Sequence, residues 1–306
     1  MSKKDVFENA KKFVYRNARP LEFARWKYHF ENGSAEDVLN ILSMYQKDDG
    51  GFAYALEPDS WNTNSNPIAV WNATRYLREI GFADAAHPIM KGILNYLDSG
   101  KDFADGKWFN TVASNNDFPH AVWWTCDSDT GLPDDNPTVS LAGFALKFSD
   151  KNSELYLKAG QIAEKAVTEF IKNPTEEMHT VRCYGELLYY CEEINNFDIF
   201  DLEEFRKKIY EAINRVVCKE PEKWYTEYVC KPSVFFEKNH RIFSIIDREL
   251  CEKEADMMLN RQLPDGSYPV TWQWCTDYKE FEISANWWRS SIIIDNMIYL
   301  KALGRI

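Results

Sequence analysis

Short and long connections alternate between amphipathic stretches along this chain, and that alternation restricts the folds open to it. Residues 36–46 place Val38, Ile41, Leu42 and Tyr45 on one stripe, and Val70, Ala73, Leu77 and Ile80 repeat the three- and four-residue spacing of a helix buried on one face. Continuing the reading predicts about twelve helices, near 4–16, 20–31, 34–46, 66–80, 86–99, 136–149, 153–171, 174–194, 200–217, 232–246, 248–261 and 286–303. Strand signals are sparse. Asn66-Pro67, Asn136-Pro137 and Asn173-Pro174 each read as a helix start, with Asn accepting a first-turn N–H and Pro in the first turn. The connections 32–33, 81–85, 150–152 and 195–199 are short, whereas 47–65, 100–135, 218–231 and 262–285 are long. If successive helices run antiparallel, every long loop lies at one end.

Those features predict an all-α fold, a single domain over residues 1–306 built as an α/α toroid of about six antiparallel helix pairs. A helical solenoid is the rival, but its repeats are more regular in length. In a toroid the long loops precede the N-termini of inner helices, and loops held on a rigid scaffold are where binding residues collect.

Charge and cysteine usage narrow the partners. A net charge of -12 argues against binding the phosphate backbone of nucleic acid or an anionic lipid surface. No apolar run approaches the roughly 20 residues of a membrane span, and the N-terminal stretch lacks the apolar core of a secretory signal. Seven cysteines, odd in number and never spaced Cys-x-x-Cys, fit reduced thiols in a cytoplasm. The expected partner is a small-molecule or oligomeric neutral substrate, with the oligomeric state left open.

One frame occurs twice. Leu42-x-x-x-Gln46-x-x-x-Gly50-x-Phe52 matches Met258-x-x-x-Gln262-x-x-x-Gly266-x-Tyr268, and Gly106-Lys107-Trp108 reads as a degenerate third copy without the Gln. The Gln can cap neighbouring backbone groups, the Gly supplies a tight turn, and the aromatic packs under it. The frame resembles the QW motif of the squalene and oxidosqualene cyclases, whose superfamily shares an α/α toroid with the β subunits of protein prenyltransferases. The resemblance implies an isoprenoid-handling enzyme, and it implies a structural role for Gln46 and Gln262 themselves.

Candidate chemistry concentrates in three long loops that combine acids with tryptophans. Loop 47–65 carries Glu57, Asp59 and Trp61; loop 100–135 carries Trp108, His120, Trp123, Trp124, Asp127 and Asp129; loop 262–285 carries Trp272 and Trp274. Asp127, Asp129, Glu57 and Asp59 are the candidate catalytic acids, and Trp61, His120, Trp123, Trp124, Trp272 and Trp274 the candidate substrate-binding residues. Acids amid indoles suit two chemistries. A neutral carboxylic acid can protonate an alkene while aromatic faces stabilise the carbocation, or a pair of carboxyls can cleave a glycosidic bond while Trp faces stack on sugar rings. The second is a carbohydrate-active enzyme on the same barrel architecture, and a noncatalytic binding module that keeps the pocket is a third possibility.

The cyclases carry Asp-x-Asp-Asp-Thr-Ala at the proton-donating site, and Cys126-Asp127-Ser128-Asp129-Thr130-Gly131 is similar only in part. Capping and solvation account equally well for acids ahead of a helix start. Zinc chemistry of the prenyltransferase kind would call on His120, Cys126 or Cys275, but their spacing is not that of a ligand set, so no metal and no cofactor are expected. Arg75, Arg182 and Arg289 lie inside inner helices, where each can meet an anionic group or pair with an acid.

Overall fold

A computed structural model describes residues 3–237 and 241–306. Its eleven α-helices among the described residues are α1 (Lys3–Asn17), α2 (Pro20–Phe30), α3 (Ala35–Ser43), α4 (Pro67–Glu79), α5 (Pro88–Asp98), α6 (Asp135–Phe148), α7 (Glu154–Lys172), α8 (Met178–Glu192), α9 (Leu202–Val216), α10 (Arg248–Arg261) and α11 (Phe281–Ala302). Helix, short 3-10 turns included, accounts for 59% of the described residues. None of these helices is long and apolar enough to cross a membrane.

The chain divides into two compact units. A terminal unit combines Met1–Met44, Ala121–Trp123 and Cys218–Ile306, and a central unit combines Tyr45–His120 and Trp124–Val217. In the terminal unit α1 packs on α2 and α11, so segments from the two ends of the sequence share a core. Arg25 is buried there between Ser291 Oγ at 3.2 Å and Asp295 Oδ1 at 2.7 Å. In the central unit α6 packs against α7 and α8, and α8 against α9.

Local chemistry sets most helix starts. Ser34 and Asp37 exchange side-chain and backbone hydrogen bonds as a capping box on α3. Asn66 caps α4 through the Ala69 amide, with Pro67 in the first turn as the dipeptide predicts. Asn136-Pro137 behaves differently: Asp134 caps α6, the Asn136-Pro137 peptide is cis, and Asn136 has non-helical torsions. Asn173-Pro174 does not start a helix either. Glu177 accepts hydrogen bonds from the His179 and Thr180 amides, so α8 begins four residues after Pro174.

Three further expectations need correction. The fold is not wholly helical, because β1 (Phe103–Ala104), β2 (Lys107–Val112) and β3 (Gly131–Pro133) form an antiparallel sheet in that order. Phe103 pairs with Trp108 and Ala104 with Lys107 around Asp105-Gly106, whose φ angles of 53° and 79° suit a two-residue hairpin turn. The segment read as a third copy of the repeated frame is therefore the turn and second strand of a hairpin. Finally, the helix expected over 232–246 is replaced by two short 3-10 turns, Pro232–Phe235 and Arg241–Ile245, with residues 238–240 outside the described residues.

The two full copies of the frame share one geometry. Gln46 Nε2 donates to Gly50 O at 2.9 Å and to Ile89 O, in the first turn of α5, at 3.0 Å. Gln262 Nε2 donates to Gly266 O at 3.1 Å and to Val6 O, in the first turn of α1, at 2.9 Å. Gly50 and Gly266 have φ of +83° and +95°, and a Cβ there would stand 2.0 Å from Gly92 O and 2.1 Å from Asn9 O. Only glycine fits such a turn against a neighbouring helix backbone. Asp49 and Asp265 complete the turns by accepting from the amides of Gly51 and Ser267. Phe52 and Tyr268 are buried beneath them.

Candidate active site

Loop 47–65 is held by backbone pairing and a polar network within the central unit. Tyr54 N donates to Asn62 O, and Trp61 N donates to Pro119 O. Ser60 forms an isolated bridge with His120. Asn62 Nδ2 reaches Ser114 Oγ and Asn115 Oδ1, each at 2.8 Å, while Asn115 Nδ2 donates to Trp124 O. Immediately before Glu57, Tyr54 and Ala55 both occupy the left-handed region, at φ 61° and 54°. Neither is glycine, so the surrounding network must hold the backbone in an unfavourable conformation.

That loop presents two carboxyls two residues apart. Asp59 is buried, and Glu57 Oε1 accepts from the Asp59 amide at 3.5 Å. Glu57 Oε2 accepts from Asn72 Nδ2 at 2.9 Å. Burial and the Asp59 carboxylate push the Glu57 carboxyl up to about 7, against the Asn72 hydrogen bond, the Asp59 amide and the Arg75 charge. Near neutral pH Glu57 therefore carries a transferable proton beside a second carboxyl.

Helices α4 and α8 supply the surroundings. Asn72 Oδ1 accepts from Arg75 Nη1 at 3.1 Å, and the Arg75 guanidinium lies 5.0 Å from the Trp71 ring centroid. Glu186 on α8 is buried and accepts from Trp71 Nε1 at 2.6 Å and Ser140 Oγ at 2.7 Å. Burial drives its carboxyl up, but Arg78, Arg182 and Arg75, with Ser140, outweigh that and hold it at about 2. His179 is pushed down by burial and by Arg182 and Arg75, against the opposing pull of Glu177, which favours a neutral imidazole.

The other expected site residues are distributed differently. His120 is buried, with Nδ1 at 2.6 Å from Phe118 O and Nε2 at 3.1 Å from Thr125 Oγ1, so both ring nitrogens serve the loop architecture. Trp61 and Trp124 are half-buried in the same unit. Asp127 and Asp129 are exposed on the turn that leads into β3, where Ser128 Oγ accepts from the Thr130 and Gly131 amides. They do not join the half-buried Glu57 and the buried Asp59. Trp123, Trp272 and Trp274 belong to the terminal unit. There Trp123 is 42% exposed, Trp272 packs edge-on against Trp288, and the buried Trp274 lies against Tyr278 and Phe281.

Cys126 Sγ lies 3.4 Å from Ser128 O. Among the described residues no three His, Cys, Asp or Glu side chains converge to hold a metal ion. All seven cysteines are free thiols.

Sequence reasoning singled out Arg75 and Arg182 but missed Asn72 and Glu186. A signal for Glu186 was present, since it stands four residues after Arg182 within the largely apolar run Cys183-Tyr184-Gly185-Glu186-Leu187-Leu188. No family model matches the sequence, and a search of curated proteins finds no significant match.

Proposed function

We propose that this chain is an acid–base enzyme acting on a glycosidic bond, with Glu57 as proton donor and Asp59 as its partner carboxylate. The observation that carries this reading is the pair itself, in which the half-buried Glu57 is held near neutrality beside the buried Asp59. Glycoside cleavage needs that division of labour, one acid protonated to assist the leaving oxygen and one carboxylate to attack or to activate water. Asn72 steadies the acid, and the half-buried Trp61 in the same loop offers a ring face to a sugar.

A second reading, an isoprenoid-handling enzyme in the manner of the cyclases and prenyltransferases, is supported by the duplicated Gln-x-x-x-Gly-x-aromatic turn. It carries with it the ring of six helix pairs. The polar neighbours of Glu57, Asn72 and Arg75, suit a hydroxyl-rich substrate better than an apolar one.

End-labelled oligosaccharides incubated with the full chain and resolved by chromatography test the choice. Cleavage should fall about 100-fold or more in Glu57→Gln, with the variant still folded by far-UV circular dichroism. The alkaline limb of the wild-type pH profile should sit near 7, where the donor loses its proton. Cyclised product from squalene, without any sugar cleavage, would favour the second reading.

A further inference from the structure

Three arginines from the helices beside Glu57 converge on one buried acid. Glu186 Oε1 lies 2.8 Å from Arg78 Nη2, 3.5 Å from Arg182 Nε and 3.8 Å from Arg75 Nε. Three guanidiniums thus share a carboxylate whose side chain is 2% exposed. Arg78 faces inward, donating to Tyr190 OH at 2.7 Å. Arg75 and Arg182 are 29% and 23% exposed, so both reach the surface while anchored to the same buried oxygen. An arginine pinned in this way has already lost much of its side-chain freedom, and its planar fork matches a carboxylate.

The cationic pair is linked to the acid. Arg75 donates to Asn72, and Asn72 donates to Glu57. Asp59 and Glu177 are further acids whose charges bear on this group, Asp59 on Glu57 and Glu177 on His179 beside the two arginines. Glu57 adds little negative charge while it is protonated.

We infer that Arg75 and Arg182 form a subsite for a carboxylate carried by the substrate, so that the enzyme takes an acidic, uronate-bearing glycan. The inference rests on the acid–base reading of Glu57 and extends it to a substrate class. The substrate carboxylate would make charge-assisted hydrogen bonds to the arginines and place the neighbouring glycosidic oxygen within reach of Glu57.

Calorimetric titration of the full-length Glu57→Gln variant reads binding without turnover. Two probes, trigalacturonate and its fully methyl-esterified form, differ essentially in charge. The acid should bind about tenfold or more tightly than the ester, and Arg182→Gln in that background should bring the ratio close to one. Arg182→Lys, which keeps the charge and removes the fork, should retain part of the preference and provides the test should the Gln variant not fold. Equal binding of acid and ester overturns the carboxylate subsite and leaves the glycan reading standing. Binding of neither probe overturns both. Inorganic phosphate competing as strongly as trigalacturonate, without ester binding, overturns the uronate assignment in favour of a phosphate-bearing substrate.

Discussion

Glu186 in the central unit and Glu254 in the terminal unit are both glutamates on helices, both withdrawn from water, and their carboxyls shift in opposite directions. Glu254 accepts from Ser233 twice, through the amide at 2.8 Å and the hydroxyl at 2.5 Å. Burial nevertheless prevails over Ser233 and the charge of Lys231, and the carboxyl is raised. Burial also holds the Lys231 ammonium below its usual range. Around Glu186 the same desolvation is overcome, because guanidiniums bring full charges into a region of low dielectric. Neutral donors satisfy a buried acid without keeping it ionised, whereas arginines do both. The central unit thereby holds a buried acid kept ionised, and the terminal unit holds an acid biased towards its neutral form.

The strongest way to break this contrast is to neutralise each acid. Glu186→Gln strands three arginines and should lower stability in urea by about 3–5 kcal/mol. Glu254→Gln replaces a carboxyl already biased towards neutrality and should cost about 1 kcal/mol. Equal losses would show that the arginines at Glu186 do not set the difference.

A smaller effect should fall equally on the two units. Gly50→Ala and Gly266→Ala each force a side chain into a left-handed turn and against a backbone oxygen, at 2.0 and 2.1 Å. Each should lower stability by about 2–3 kcal/mol, read as a shift in the urea midpoint at unchanged slope. A loss at only one glycine would mean that the two turns, alike in geometry, are not alike in the strength of their support.

A further effect separates Glu57 from Glu186 by pH. Glu57 is raised from 4.5 to about 7, so between those values the folded chain holds a proton that the unfolded chain has released. Wild-type stability should therefore decline relative to Glu57→Gln as pH rises from 4.5 to 7, and the difference should be constant above that. Glu186 has the opposite sign: its contribution is present above 4.5 and is lost as pH falls towards 2. Urea midpoints measured across pH for both variants check the two directions, and a flat wild-type minus Glu57→Gln difference would remove the shared proton on which the acid–base assignment depends.

Much of the local structure was legible. The two Gln-x-x-x-Gly turns and the Asn66 helix start follow from short-range patterns, and the structure shows each of them. The Asp105-Gly106 hairpin was legible too, since Asp-Gly between apolar residues is a strong turn signal; matching Gly106 and Trp108 to the repeated frame obscured it. Pro174 misled because Glu177 supplies an alternative cap for two amides. In 232–246 the apolar spacing suggests a helix, yet Phe236 and Phe243 instead pack edge-on against each other and against Tyr299.

By itself the sequence determined the helical character, the paired turns and an excess of acid gathered in loops, because caps, glycine torsions and apolar periodicity act over a few residues. It did not distinguish Glu57 and Asp59 from Asp127 and Asp129, four acids in similar company. Tertiary structure decided that the first pair loses water while the second stays exposed. A carboxyl's proton affinity depends on the solvent it loses and the charges it meets, and at Glu57 those come from Asn72 and Arg75, which only folding brings to the loop.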